Sequence, residues 1–357
     1  MKKKTFAVLV ALLTFAVGVA IARFTLPRFR TPAPPAPPAR HEIQLSNYRL
    51  SGPYQHENLT IFLVHGPDQS FSGPYTPLQQ AMERQLVAVY ETSEVNELAI
   101  ENRSSSEEVF VQAGDIVKGG QQDRTLAVDL IVPVKSGRIP IDAFCVESGR
   151  WMQRGNEAIS QFNSSQNMLP SKELKLAAKA DSSQSKVWQE VETARENLSY
   201  SLNQDVAGVA SRSSMQLALE NDKVEESASK YVDKISAIVD GRSDVIGFVF
   251  AINNKLNSAD VYPSNAMFKQ FWPRLLKAAA VEAVAENSPA AARPAKEALS
   301  INIAGGFLIA AEEGVESWNE VTTRTHMLKR ESEQGIFFET RDMAHGGAWI
   351  HRNYLTK

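Results

Sequence analysis

The sequence predicts an α+β fold in one domain, with a largely antiparallel, β-rich N-terminal half, a helical middle and a C-terminal β-meander. Three observations predict it. Short runs that alternate or are wholly apolar, bounded by turn-forming residues, fill much of the stretch from 43 to 146. Beyond residue 186 the apolar side chains recur at helical spacing. Three further strand-like runs then close the chain.

Taken in order, segments 43–50, 59–65, 86–91, 97–101 and 109–112 suit short strands. A hairpin is expected next, with 125–133 and 138–146 folded around the turn Val134-Lys135-Ser136-Gly137. Setting Pro133 opposite Arg138 makes Leu126 meet Cys145, Val128 meet Ala143, Leu130 meet Ile141 and Val132 meet Ile139, a wholly apolar face. In that register Arg124 faces Glu147 at the open end. The other face sets Asp129 against Asp142, two like charges that need water, a cation or a basic neighbour to coexist. Leu174, Leu176 and Ala178 alternate as a strand would, whereas Val187, Trp188, Val191 and Leu198 place a helix over 186–197. Val224, Ala228, Tyr231, Val232, Ile235, Ile238 and Val239 trace one face of a helix opened by Asp222, with Glu225 three later, and closed by Gly241. The apolar run 245–252 reads as a strand covered on both faces. Two helices, 264–272 and 274–286, are expected to meet at Pro273, which cannot continue the hydrogen-bond ladder. Another helix spans 295–312, weakened by Gly305-Gly306, before the meander 322–329, 335–341 and 348–355.

The chain opens with a targeting pattern. Lys2, Lys3 and Lys4 precede an apolar run over 6–22 that ends Ala20-Ile21-Ala22, the small-residue pattern of a signal-peptidase site. A cleaved signal peptide and a retained single-helix anchor are both compatible with this length and with Arg23, Arg28 and Arg30 beyond it. The expected organisation is 1–22 signal or anchor, 23–40 Pro-rich linker and 41–357 folded domain. Pro32, Pro34, Pro35, Pro37 and Pro38 favour an extended polyproline spacer. The expected address is therefore periplasmic or otherwise extracytoplasmic, soluble after cleavage or held at the membrane by the N-terminal segment. Hydrophobic residues make up 43%, charged residues 22%, and the net charge is −3, so no cationic excess points to nucleic acid. The lone Cys145 lies in an apolar strand and reads as a buried, inert thiol.

Polar chemistry concentrates at two places. Gly114 to Arg124 carries Asp115, Lys118, Gln122 and Arg124 among three glycines, and Cys145 to Trp151 carries Glu147, Arg150 and Trp151. The run 58–62, the stretch 95–102 and these two segments resemble the prokaryotic ARG and Rhodanese-Phosphatase-superfamily-associated protein domain family. Gly114, Asp115, Gly119, Gln122, Arg124, Glu147, Gly149, Arg150 and Trp151 fall on its pattern, while Ile116 stands where members commonly have a second acid and Gln121 where they have a lysine. The resemblance implies a domain that keeps company with ADP-ribosylglycohydrolase-like and rhodanese-phosphatase modules. It brings no reaction with it.

Motif searches narrow the chemistry. Gly114 to Gly119 has phosphate-loop spacing, but Gly120 stands where the lysine belongs. Asp342, His345 and His351 offer a weak metal grouping that reads better as a solvated turn, no Gly-x-Ser-x-Gly elbow occurs, and neither metal nor cofactor is expected. For Asp115, Lys118, Gln122, Arg124, Glu147, Arg150 and Trp151 a purely structural network competes with a ligand site. Arg124 and Arg150 would fork onto a carboxylate or phosphate beside Trp151. Two functions follow from the second reading: a non-catalytic envelope module binding a small anionic ligand or a protein partner, or a metal-independent hydrolase or transferase with Asp115 or Glu147 as base, for which the resemblance implies a nucleotide- or ADP-ribose-like substrate. A base needs a raised pKa and solvent access, which an arginine-locked carboxylate lacks.

Overall fold

In the first strands the alternation is partial, because both faces are to be covered. The computed structural model describes residues 41–44, 48–69, 73, 75–287 and 299–357. The expected signal or anchor and the Pro-rich linker lie outside the described residues. Among those described, no helix is long and apolar enough to cross a membrane.

The chain runs β1 (His41–Gln44), β2 (Arg49–His56), β3 (Leu59–His65), β4 (Tyr75–Pro77), α1 (Leu78–Glu83), β5 (Val87–Glu91), β6 (Glu97–Asn102) and β7 (Glu108–Val111). Next come β8 (Asp115–Gly119), β9 (Arg124–Leu126), β10 (Leu130–Val132), β11 (Gly137–Cys145) and β12 (Phe162–Met168). The helical middle is α2 (Lys172–Lys175) continuing into a π-helical turn (Leu176–Ala180), α3 (Gln184–Leu202), α4 (Met215–Leu219) and α5 (Asp222–Ile235). It is followed by β13 (Val245–Ile252), β14 (Lys255–Val261), α6 (Asn265–Ala285), α7 (Ile301–Glu312), β15 (Val315–Glu320), β16 (Thr325–Glu331), β17 (Gly335–Asp342) and β18 (Ala348–Thr356).

A nine-stranded antiparallel sheet, ordered β1-β2-β3-β13-β14-β18-β17-β16-β15, joins the two ends of the chain. The strands β15 to β18 make the C-terminal meander, one strand longer than expected. One face of the big sheet packs against α5 and α6 through Ile61, Phe248, Phe250, Phe268 and Trp272, with α3 packed on α6. The other packs against α7 through Phe62, Val249, Phe307 and Tyr354. Buried from both sides, β13 is apolar at nearly every position, which is why its run showed no alternation. A six-stranded sheet, β12-β8-β9-β11-β6-β5, bends until its edges touch at the Tyr90–Gln161 bridge and encloses Val89, Ile100, Val117 and Leu126. Between the two lies β10-β7-β4, with β4 parallel to β7.

Several expectations need correction. Residues 174–178 are helical, because Ser171 caps α2 by accepting from the Leu174 N–H, and Leu174 and Ala178, four apart, share a buried face. Helix α6 runs unbroken through Pro273: Phe268 and Phe271 before it and Leu275 and Leu276 after it enter one core, outweighing a local cost of about 3 kcal/mol. The cap of α5 is Asn221, which accepts from the Lys223 N–H, one residue before the expected opener. Finally, the 125–146 hairpin is two residues out of the expected register: Cys145 pairs with Arg124, Phe144 with Thr125 and Ala143 with Leu126. The cause is non-local. The chain leaves the sheet after Leu126 so that β10 can join β7, and the vacated length of β11 pairs with β6. An even slip preserves the faces, so Leu126 and Ala143 still point into the core.

Candidate functional site: buried charge at the strand ends

Because β9 sits two places along, Arg124 and Glu147 are not partners. Glu147 lies past the end of β11 and is gripped by Arg150, whose Nε and Nη2 donate to its two oxygens at 2.6 and 2.7 Å. Asp123 accepts from Arg154 Nη1 and Nη2 at 2.6 and 3.0 Å, from Ser214 Oγ at 2.9 Å and from the Gly119 N–H at 3.0 Å. The Asp123 N–H donates back to Glu147. These groups fasten the 119–124 turn, the 147–157 loop and the start of α4 to each other. Burial alone would push the Glu147 carboxyl upward, but hydrogen bonds from Arg150 and Ser211 and the arginine charge hold it below its usual range. Asp123 goes the other way, since its burial outweighs Arg154.

The remaining expected site residues separate into different places. Asp115, at the start of β8, accepts from Arg274 of α6 at 2.8 Å and from the Gln112 N–H at 3.0 Å. Lys118 pairs with Glu220 at the end of α4. Gln122 is buried and its carbonyl accepts from Arg124 Nη1 at 3.0 Å. Gly120 has φ 56°, and a Cβ there would lie 2.4 Å from the Phe162 ring and 2.8 Å from Glu91, so the glycine lets those side chains close in. The structure therefore brings together Gln122, Arg124 and Trp151 in one place and Glu147 and Arg150 in its neighbour, leaving Asp115 and Lys118 apart.

Arg124 itself is an oddity. It is 0% exposed, yet among the described residues Nε and Nη2 have no hydrogen-bond partner. Its nearest carboxylate is Glu91 at 3.6 Å, already accepting from the Gln121 and Ser93 N–H groups. The guanidinium carbon lies 5.4 Å from the centre of the Trp151 ring, and Trp151 is 45% exposed. Cys145, next door, is buried, and burial pushes its thiol up to about 11.

A second buried cluster escaped the sequence. Asp129, between β9 and β10, accepts from His351 Nδ1 at 2.8 Å, from Thr340 Oγ1 at 2.6 Å and from Lys179 Nζ at 3.4 Å. Asp260 of β14 lies 3.0 Å from His351 Nε2, and the Tyr262 ring stacks on the imidazole at 4.9 Å. Asp142 is exposed, so the like-charge problem posed by the expected hairpin does not arise: Asp129 found its basic neighbours elsewhere. Burial opposes charge on all three groups. For Asp129 the Lys179 and His351 charges and the hydrogen bonds win and hold it low; His351 lowers Asp260 likewise, and the two aspartates raise the histidine. An imidazolium with both nitrogens engaged has no lone pair for base catalysis. A narrow cleft of about 20 Å³ opens beside it, lined by Gln112, Lys175, Lys179, Asp260 and His351 among others. His345 instead pairs with Asp342 at 2.7 Å, and no group of three or more His, Cys, Asp or Glu among the described residues is placed to hold a metal. What the sequence offered was the unpaired Asp129; its partners lie 50 and 222 positions away.

A family model, the ARG and Rhodanese-Phosphatase-superfamily-associated Protein domain, matches residues 47–355. The chain belongs to this family. Its match takes in both buried clusters and all three sheets apart from β1 and the last residue of β18. No curated protein and no solved structure matches the chain. The family's description names associated modules and no reaction, so chemistry has to be argued from the residues.

Proposed function

We propose that this protein is a non-catalytic binding module, exported or membrane-anchored, that takes a small anionic group on Arg124 beneath Trp151. The observation that carries the reading is the wholly buried guanidinium with two nitrogens lacking acceptors. Unmet buried donors cost about 1–3 kcal/mol or more each, and a carboxylate or phosphate oxygen is the acceptor that suits them best. Trp151 sits on a loop with positive-φ glycines at 149 and 155 that have nothing packed on them, which favours an indole able to swing aside. The lysine-led apolar segment at the N-terminus followed by a proline-rich spacer supports export and display of the domain.

Catalysis at this constellation has less support. Glu147 is held low by Arg150, Asp115 is locked to Arg274 and buried, and the Cys145 thiol is raised; none is a poised base or nucleophile.

The test separates binding from scaffolding. Arg124→Met takes the nearest counter-charge from Glu91, which keeps its two backbone donors, so the variant should fold with a loss below the roughly 3–5 kcal/mol of a broken buried ion pair. It should lose binding of benzoate and inorganic phosphate in titration calorimetry, and Trp151→Ala should weaken benzoate. A strongly destabilised Arg124→Met would mark the arginine as scaffold. Unchanged anion binding in both variants would end the proposal.

A further inference from the structure

A cavity of opposite sign lies among the helices. A space of about 220 Å³ separates α2, α3 and the C-terminal part of α6. Glu173, Glu190, Glu282 and Glu286 line it, together with apolar walls such as Leu198 and Val281, and among the described residues no lysine, arginine or histidine does. Glu282 and Glu286 stand one helical turn apart on α6. Glu282 is 2% exposed: Oε1 accepts from the Lys172 N–H at 3.0 Å and from Asn257 Nδ2 at 2.7 Å, and Oε2 has no partner. Burial pushes its pKa up to about 7 in spite of Lys175. Glu190 and Glu286 are pushed up too, and Glu173 repels all three.

Of the nearby bases, one is shared with Glu173 and neither lysine of α2 donates a side-chain hydrogen bond to Glu282. Lys172 Nζ reaches Thr356 at 3.2 Å and Glu173 at 3.6 Å, and Lys175 Nζ lies over the Phe250 ring. Lys255 acts on Glu286 only from a distance. Buried carboxylates without counter-charge are destabilising unless protonated or met by a cation. A metal ion requires converging oxygen ligands, and among the described residues no such group is formed. An organic ammonium requires no convergence, and its carbon chain suits the apolar walls. We propose that this cavity binds a short alkylammonium, a primary amine or diamine, with Glu282 as its buried counter-charge. Arg124 is not among the residues that line this cavity.

Titration calorimetry on the full-length protein tests it, with 1,4-diaminobutane, n-butylamine, 1-butanol, calcium and magnesium as probes. The diamine should bind one per chain, butylamine more weakly and butanol not at all. Ionisation of a carboxyl near 7 should tighten diamine binding about tenfold between about pH 6 and 8. Glu282→Gln should weaken it at least about tenfold, a loss of about 1.4 kcal/mol. Glu190→Gln, a change at a half-buried helix position, should weaken it less, and decides the matter together with the pH profile should the first variant fail to fold. Absence of amine binding at millimolar concentration overturns the proposal. So does undiminished binding in both variants, or binding of a divalent ion in place of the amine.

Discussion

Two buried sets of carboxylates in this domain have met opposite fates. Asp129 and Asp260 enclose His351, with Lys179 and Thr340 completing Asp129, and both acids are held below their usual range. Glu282 is as deeply buried, and there burial pushes the carboxyl up to about 7, since the charge of Lys175 and the backbone and amide donors oppose it too weakly. Desolvation acts alike on both; the neighbouring charges decide the sign. A complemented cluster ties together β14, β17, β18 and the π-helical turn. An uncomplemented one is a place where a partner charge is wanted. Arg124 lies between the two kinds: Glu91 stands 3.6 Å away, yet two of the guanidinium nitrogens lack acceptors among the described residues.

The largest effect should come from breaking the complemented cluster. Asp129→Ala leaves an imidazolium and an ammonium buried together without their shared acceptor, and should cost about 3–5 kcal/mol in denaturant unfolding. At pH 4.5, where the glutamate is neutral in the fold, Glu282→Gln should change stability by no more than about 1 kcal/mol, and above pH 7 it should stabilise, because it removes a charge the site does not balance. If the glutamate change proved the more damaging, the contrast between the clusters would be reversed.

How far the sequence disclosed these clusters follows from the range of the forces involved. β13 was legible because a strand covered on both faces must be apolar throughout, and α5 because its apolar residues keep helical spacing. The Glu147–Arg150 pair lies three residues apart, within reach of local reasoning, yet the apolar ladder drew Glu147 toward Arg124. That ladder failed where the decision was made by distant segments: β7 captures β10, and His351 and Lys179 hold Asp129 away from the hairpin. Pro273 shows the same limit, since its local penalty is visible in the chain while the burial that overrides it is not. The cavity among the helices was invisible because its four acids come from three helices, two of which were misread or incompletely bounded.

A pH titration of stability sharpens the comparison at intermediate size. A carboxyl whose folded pKa lies above its unfolded value holds its proton longer in the native state, so its contribution falls as pH rises from 4.5 to about 7. For Glu282 that fall is at most about 3 kcal/mol. Asp129 behaves oppositely: its contribution is present above the ordinary aspartate range and is lost only in acid. His351, raised, gives stability that is full below 6.5 and declines as pH passes its folded pKa. Subtracting the Glu282→Gln curve from the parent curve cancels the last two. The difference should decline between about pH 4.5 and 7 and be flat above. A flat difference throughout would mean that the glutamate is well matched after all.

The smallest effect calibrates the others. Lys118 and Glu220 form an ion pair like those inside, but their side chains are 24% and 35% exposed, so water already solvates both ends. Lys118→Ala should cost less than about 1 kcal/mol. Moderate salt should shrink even that, since partly exposed pairs are screened over about 10 Å at 0.1 M. Benzoate affinity should be unchanged, because the ammonium is committed to α4 instead of to Arg124. A large, salt-independent loss would show that exposure is a poor guide to charge energetics in this domain, and the distinction drawn between matched and unmatched buried groups would lose its scale. A loss of benzoate binding with stability intact would instead return Lys118 to the ligand site and enlarge the anion pocket toward β8.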